Sequence, residues 1–170
     1  MKITIGISSC LLGNEVRHDG GHKRNIYVMN TLAEYFSFRP YCPEMAIGLG
    51  VPRPTIRLTR HEGAIRLTGS SDTGLDLTDD MNSWSSDAVS GMNDVSGFIL
   101  KKDSPSCGME RVRVYDTKGA PSRDGVGLFA AALMQAMPWL PAEEEGRLND
   151  PSLRENFIER VFTYYRWRQM

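Results

Sequence analysis

The sequence predicts a single three-layer α/β domain with a mostly parallel sheet, a small hairpin and a C-terminal helix. Apolar, β-branched runs alternate along the chain with segments of helical periodicity. Those segments are long enough to cross over between parallel strands. With 170 residues, 41% of them hydrophobic, the chain can bury one sizeable core.

The first half of the chain begins with a strand. It is expected over residues 2–10, KITIGISSC, because isoleucines alternate there with smaller residues. Residues 25–38 place apolar side chains at helical spacing and predict a helix. Residues 39–44, RPYCPE, predict a short strand that ends at a Cys-Pro-Glu corner. Two alternating runs around RHEG predict a hairpin over residues 55–69.

The second half continues the alternation. Residues 76–95 predict a helix with Thr78 as its N-cap. Residues 96–108 predict the third strand, which is apolar at its centre and polar at its end. A helix is expected over residues 125–137, and residues 138–145 predict the last strand.

A helix is also predicted at the C-terminal end, over residues 150–170. Asp150 is its expected N-cap, and its apolar and aromatic stripe continues to Trp167 without a C-terminal cap. We therefore expect a domain over residues 1–148, followed by a helix over 149–170 that begins a second domain. The alternative is an ordinary C-terminal helix docked on the first domain.

Charge and the N-terminal sequence argue against two classes of protein. Lys and Arg total 20 and Asp and Glu total 21, so there is no overall basic field for nucleic acid, although basic clusters at 17–24 and 52–60 suit a phosphate-bearing partner. A secretory signal pattern is absent, and no apolar run approaches the roughly 20 residues that span a bilayer. We expect a cytoplasmic protein without a membrane partner, whose three cysteines act as thiolates and form no disulfide framework.

Each of the three cysteines follows a predicted strand. Cys10, Cys42 and Cys107 lie in the polar, turn-forming contexts SSCLLG, CPE and SPSCG. Ligands bind outside the carboxyl ends of parallel strands, so three such loops can converge on one site. The spacings do not fit a local C-x-x-C zinc pattern. For any one of these cysteines taken alone, an inert buried thiol is the alternative.

Three thiolates without an obvious fourth ligand leave two metal centres open. One is an iron–sulfur cluster with an open iron, and the other is zinc with an open position. Zinc would favour a histidine among its ligands. The available histidines are His18, His22 and His61.

Six motifs, in order over residues 3–145, resemble the thiouracil desulfidase family: GISSCLLG, VRHDGGHK, YCPE, GLGVPRPTIRL, KKDSPSCG and DGVGLFAAAL. The resemblance implies a Rossmann-like fold and, over residues 1–148, an iron–sulfur desulfidase domain. The resemblance also implies a [4Fe-4S] cluster that is bound by Cys10, Cys42 and Cys107 and has one iron left for substrate. The implied reaction exchanges C=S for C=O in a thiolated uracil without net redox change.

The C-terminal segment resembles the region through which two-domain relatives enter a second domain. Those relatives are similar to an enzyme that removes sulfur from 4-thiouridine in transfer RNA, whereas shorter members act on free thiouracils. The implied substrates are therefore 4-thiouridine in tRNA, its nucleoside or nucleotide, or free thiouracil, with tRNA as the partner of a full-length protein.

Residues near the cysteines are candidates for this chemistry. Glu44 lies two residues from Cys42 and is the expected general acid/base, with Ser104 and Asp19 as further catalytic candidates. The expected cofactor-binding hydroxyls are Ser9 and Ser106, and the expected substrate-binding residues are Lys101, Arg53, Gly20 and His22. Basic side chains suit a phosphate or a base edge, and either Lys101 or Lys102 also suits a pair with Glu44. The ordinary alternatives are a turn cap for Glu44, turn-forming serines and solvated cations.

Two other functions remain open. One is a cluster-bearing module that binds tRNA or senses redox state without catalysis, and the other is a zinc hydrolase with Cys and His ligands. Metal content would identify zinc, and sulfide release from a thiolated base would distinguish an enzyme from a binding module.

Overall fold

The computed structural model describes residues 2–12, 30–50, 53–72 and 74–170. These residues form two sheets of four strands each. Sheet A is parallel and has the order β2-β1-β5-β8, with β1 at Ile3–Ser8, β2 at Phe36–Tyr41, β5 at Phe98–Leu100 and β8 at Ala142–Glu144. Sheet B is mixed and has the order β4-β3-β6-β7, with β3 at Ile56–His61, β4 at Ala64–Gly69, β6 at Val112–Tyr115 and β7 at Pro121–Gly125.

The described helices flank sheet A or connect the two sheets. They are α1 at Pro43–Ala46, α2 at Thr78–Ser90, α3 at Leu128–Ala136 and α4 at Pro151–Gln169. Short 3₁₀ helices occupy Ser9–Leu12, Leu32–Glu34 and Arg147–Asn149. Within the described ranges no helix is both long and apolar enough to cross a membrane.

Sheet A is the middle layer of three. Ile99 of β5 belongs to the core cluster that contains Phe157 and Val161 of α4. Its neighbours Phe98 and Leu100 belong instead to the cluster formed with α2 and α3. Because successive side chains of a strand point to opposite faces, the fully buried β5 must be covered on both sides. The three-layer α/β class predicted from the sequence is confirmed.

The four strands of sheet A were all predicted, but with different limits. The strand predicted over 39–44 lies three residues earlier, and the one predicted over 96–108 is only three residues long. The helix predicted over 25–38 is wrong at its end, because Phe36 and Phe38 pair in β2 with Ile3 and Ile5 of β1. Residues 25–29 lie outside the described ranges.

The predicted hairpin is confirmed as β3 and β4, yet it is only half of sheet B. Strands β6 and β7 complete that sheet and were not predicted. Four of the five residues of β7 are exposed and none is a large apolar residue, so the strand carries no hydrophobic pattern. Its pairing with β6 is also irregular between Val112 and Val114.

Helix starts were predicted with mixed success. Asp150 is the N-cap of α4, as predicted, and its carboxylate accepts hydrogen bonds from the backbone N–H of Ser152 and Leu153. The N-cap predicted at Thr78 is wrong because Thr78 is the first helical residue. Its hydroxyl instead accepts a hydrogen bond from the backbone N–H of Leu67, at 2.7 Å, and so joins α2 to β4.

Helix α4 packs on sheet A. Phe157 and Val161 have no exposed area and share a core cluster with Ile5 and Ile7 of β1. The helix therefore contributes to the core of the domain whose boundary was predicted at residue 148. That it begins a further domain stays a prediction.

Candidate functional site

The three cysteines lie at one edge of sheet A. The adjacent strands β1, β2 and β5 are parallel, so their carboxyl ends meet there. Cys10 lies in the 3₁₀ helix that follows β1, Cys42 lies between β2 and α1, and Cys107 lies in the loop after β5. All three border one cavity of about 300 Å³. The lining residues are Ser8, Ser9, Cys10, Tyr41, Cys42, Pro43, Glu44, Arg53, Thr55, Ile56, Lys101, Lys102, Asp103, Ser104, Pro105, Ser106 and Cys107.

The three thiols of this cavity differ in burial: Cys107 is buried, whereas Cys10 and Cys42 are partly exposed. Burial raises the pKa of the Cys107 thiol, and a hydrogen bond from the Ser8 hydroxyl partly opposes that shift. The neighbouring Cys10, Glu44 and Cys42 raise the pKa further, because a second negative charge beside them is unfavourable. Burial also raises the pKa of Cys42, against hydrogen bonds from the backbone N–H groups of α1. In the metal-free protein these two thiols are therefore protonated at neutral pH, and metal binding must release their protons.

Glu44 is held by both of its carboxylate oxygens. Oε1 accepts a hydrogen bond from Nε of Arg53 at 2.9 Å, and Oε2 accepts one from the hydroxyl of Ser106 at 3.2 Å. Only 15% of the Glu44 side chain and 3% of the Arg53 side chain are exposed. An ionised carboxylate can accept about four hydrogen bonds, so Glu44 retains capacity to accept from a water or a substrate N–H.

The loop that carries Cys107 is fixed by Ser104. The Ser104 hydroxyl oxygen accepts hydrogen bonds from the backbone N–H groups of Ser106 and Cys107, at 3.1 and 3.0 Å. Its carbonyl accepts a third from the N–H of Gly108, at 2.9 Å. This is the turn geometry that short hydroxyl side chains favour, and it sets the direction of the Cys107 side chain.

The same loop is joined to the start of α3. Three loop carbonyls accept hydrogen bonds from backbone N–H groups at the start of the helix: Pro105 from Leu128 at 3.1 Å, Ser106 from Ala130 at 3.0 Å, and Gly108 from Gly127 at 2.8 Å. A Cβ on Gly127 would lie 2.5 to 2.7 Å from backbone atoms of Ser106 and Cys107. The glycine is required because the two backbones approach too closely for any side chain.

Lys101 lies at the rim of the cavity in a pair with Glu145. Its Nζ is 2.9 Å from Oε2 of Glu145, and the backbone N–H of Lys102 donates to Oε1 of the same carboxylate at 2.7 Å. The alternative in which Lys101 pairs with Glu44 is therefore wrong, because Glu145 is the partner. Lys101 still borders the cavity, so its role in substrate binding stays a prediction.

Nine of the twelve predicted site residues border this cavity: Cys10, Cys42, Cys107, Ser9, Ser104, Ser106, Glu44, Arg53 and Lys101. The predicted Asp19, Gly20 and His22 lie outside the described residues, as does His18. His61 is exposed at the end of β3 and is not among the lining residues. Tyr41 and Glu145 were not predicted for the site. Tyr41 directly precedes Cys42 in the sequence, whereas no local signal indicated Glu145 as the partner of Lys101.

The donor set fits an iron–sulfur cluster. Thiolates are the protein ligands that such clusters take, and three of them border one partly enclosed space with serine hydroxyls beside them. In the described part of the chain no group of three or more His, Cys, Asp or Glu side chains is placed to hold a single metal ion. By their chemistry and their shared cavity, Cys10, Cys42 and Cys107 are the described residues suited to a cluster.

Comparisons with known proteins identify a family for this chain. Residues 5–145 match the family described as 2-thiouracil desulfurase. The structure is similar to that of the "[4Fe-4S]-dependent thiouracil desulfidase TudS", with a TM-score of 0.69 and 28% sequence identity, over 91% of this chain and 99% of that one. In sequence the chain is similar to the "Uncharacterized protein YbbK" of Bacillus subtilis (strain 168), with 29% identity over 150 residues, which is 85% of this chain and 97% of that protein.

Proposed function

Because the chain belongs to the 2-thiouracil desulfurase family, we propose that it is a [4Fe-4S]-dependent desulfidase that converts a thiolated uracil to uracil. One observation carries the proposal. Three cysteines from separate segments, and the Glu44 carboxylate beside Cys42, border the same cavity at the carboxyl edge of a parallel sheet. Such an edge is where open α/β sheets bind their ligands.

Cys10, Cys42 and Cys107 are the proposed ligands of the cluster, and the hydroxyls of Ser9 and Ser106 are proposed to lie beside it. When bound, a cluster with three protein ligands supplies a Lewis acid with affinity for sulfur, at the iron that no cysteine holds. Ser8 supports this assignment, because its hydroxyl donates to the Cys107 sulfur and would stabilise the thiolate.

The reaction replaces sulfur by oxygen without oxidation or reduction. The thiocarbonyl and water give the carbonyl and hydrogen sulfide: a C–O bond forms, the C–S bond breaks, and both water protons are accounted for in the sulfide product. Glu44 is the proposed acid/base, which takes a proton from the attacking water at its carboxylate and returns it to the departing sulfur. Ser104 and Asp19 are proposed as further catalytic residues.

The proposed substrate class is thiolated uracil, with free thiouracil, 4-thiouridine, its monophosphate and thiolated tRNA as members. The proposed substrate would bind beside the cluster, in the part of the cavity that Glu44 and Lys101 border. Lys101, Gly20 and His22 are the proposed contacts to the substrate, and a phosphate would be attracted to the cations. We infer a cytoplasmic location, because cysteine ligands persist as thiols in a reducing compartment.

The test is an anaerobic assay of reconstituted protein against 2-thiouracil, 4-thiouridine, its monophosphate and thiolated tRNA. We expect sulfide release and formation of the oxygenated base in equal amounts, together with iron and inorganic sulfide near four per chain, the content of one such cluster. The variants Cys10→Ala, Cys42→Ala and Cys107→Ala should each lose turnover.

The matched control is Ser85→Ala, which changes a fully buried serine of α2 that does not border the cavity. It should keep both the iron content and the rate of the unmodified protein. Full activity of metal-free protein, or zinc in place of iron and sulfide after anaerobic purification, would contradict the proposed function.

A further inference from the structure

Arg53 makes its polar contacts inside the protein. Its Nε donates to Oε1 of Glu44 at 2.9 Å, and its Nη1 donates to the carbonyl of Gly50 at 3.2 Å. Nη1 also lies 3.7 Å from the sulfur of Met45. With 3% of its side chain exposed, the guanidinium is anchored between a backbone carbonyl and a carboxylate. That geometry is unsuited to a cation that must turn toward a mobile phosphate.

Glu44 needs such an anchor, because its own element is short. Helix α1 has only four residues, so its few internal backbone hydrogen bonds do little to fix the segment that carries Glu44. The last torsion of a glutamate is broad and roughly two-fold, and a single contact leaves the carboxylate plane free to rotate. Contacts on both oxygens, from Arg53 and Ser106, fix that plane. Arginine is suited to this task because its planar fork loses little freedom for each hydrogen bond formed.

Stability alone does not account for the buried pair. Removing two charges from water costs several kcal/mol per ion, so a buried ion pair is weak support for a stabilising role. The pair does supply a fixed direction for the carboxylate at the border of the cysteine cavity.

We propose that Arg53 is a positioning residue that fixes the orientation of the Glu44 carboxylate toward the cavity, and that it does not bind substrate. The inference rests on the proposed desulfidase function. Arg53 acts through Glu44, so its removal should slow the chemical step and leave substrate binding and cluster content nearly unchanged.

The first experiment compares Arg53→Gln and Arg53→Lys in the cluster-loaded protein. Arg53→Gln should lower kcat about 10- to 100-fold, the range typical of lost outer contacts to catalytic groups, with KM changed less than about threefold. Arg53→Lys should have a higher kcat than Arg53→Gln, because lysine keeps a positive charge for the carboxylate. It should not reach the unmodified rate, because a single ammonium cannot replace both the Nε contact to Glu44 and the Nη1 contact to Gly50. In a Glu44→Gln background, Arg53→Gln should add no further loss.

The matched control is Arg39→Gln, which removes a guanidinium from its pair with Asp94 outside the cavity. It should keep kcat, KM and iron content. An Arg53→Gln protein with unchanged kcat, with a rise in KM alone, or with iron loss in proportion to activity would overturn the positioning role.

The second experiment needs no activity. A double-mutant cycle of Arg53→Gln and Glu44→Gln in metal-free protein, followed by urea unfolding, should show that the two changes are not additive. Additive changes would overturn the inference even if the protein desulfurates thiouracil. Absence of sulfide release from every thiolated uracil would contradict the proposed function instead, and the cycle would still decide whether Arg53 holds Glu44.

Discussion

The hydroxyl of Ser106 donates a 3.2 Å hydrogen bond to Oε2 of Glu44, although the two residues are 62 positions apart in the sequence. Each lies beside a cysteine: Glu44 is two residues from Cys42, and Ser106 directly precedes Cys107. The bond therefore joins two of the three cysteine loops through the proposed acid/base. This one hydrogen bond therefore influences both the orientation of the Glu44 carboxylate and the relative position of Cys42 and Cys107.

Ser106→Ala should slow turnover without emptying the site. The substitution removes one of the two contacts that fix the Glu44 carboxylate and leaves Arg53 in place, so we expect kcat to fall roughly tenfold. Sulfide release gives the rate and iron analysis gives the loading. Ser85→Ala, at a buried serine hydroxyl for which the described residues offer no hydrogen-bond partner, should leave the rate unchanged. A parallel loss of iron and activity in Ser106→Ala would mean that the hydroxyl supports the cluster instead.

Ser104→Ala should destabilise the metal-free protein. The change leaves two loop N–H groups without their acceptor, and an unsatisfied buried donor costs about 1–3 kcal/mol. Urea unfolding of metal-free protein measures this loss directly. Cluster loading should also fall, because the same hydroxyl sets the direction of the Cys107 side chain. Unfolding at the unmodified midpoint would show that the loop does not depend on Ser104.

Gly127→Ala should impair cluster loading more than it impairs sheet formation. The added Cβ meets the backbone of Ser106 and Cys107, which cannot move aside as a side chain can. We expect a lower unfolding midpoint and a clearly reduced iron content after reconstitution, with the circular dichroism spectrum retained. Gly91→Ala is the matched control, because its Cβ would find an ordinary contact at 3.6 Å. Equal iron contents in the two variants would contradict the predicted close approach.

Glu144→Gln should change how stability depends on pH. Burial raises the pKa of the Glu144 carboxyl above its ordinary value of 4.5, against a hydrogen bond from the backbone N–H of Met109. The folded protein then holds a proton that the unfolded chain has released, so stability falls as the pH rises from 4.5 through the raised pKa. The variant cannot ionise and should lose that decline, and it should be more stable than the unmodified protein at neutral pH.

Urea midpoints measured between about pH 4 and pH 8 test this prediction. Glu155→Gln, an exposed change on α4, should follow the unmodified protein across the range. The prediction is wrong if Glu144→Gln and the unmodified protein lose stability in parallel as the pH rises.

The parallel sheet was predictable because its strands are buried on both faces. Residues 98–100 are continuously apolar, and such a run is visible without any knowledge of its neighbours. Strand β7 was not predictable, since Pro121–Gly125 is polar and exposed and is held in place only by its pairing with β6. The local hydrophobic pattern of a sequence indicates which strands are buried. It does not indicate a strand that is fixed by backbone pairing alone.

The candidate site was also predictable only in part. Chain topology brings the ends of parallel strands together, so the position of Cys10, Cys42 and Cys107 after such strands sufficed to place them at one edge. The partners of charged side chains were not predictable in this way. Neither the Arg53–Glu44 pair nor the Lys101–Glu145 pair was predicted, because side-chain pairing depends on packing across loops, for which the sequence holds no periodic signal.

The junction between the Cys107 loop and α3 has a consequence for the order in which the protein matures. Cys10 and Cys42 leave the ribosome early, but the loop that presents the third thiol is held by backbone N–H groups of residues 127–130. A nascent chain that has reached only Cys107 lacks those donors. Under the proposed function, delivery of an iron–sulfur cluster would therefore follow the formation of α3, and synthesis of the third cysteine alone would not complete the site.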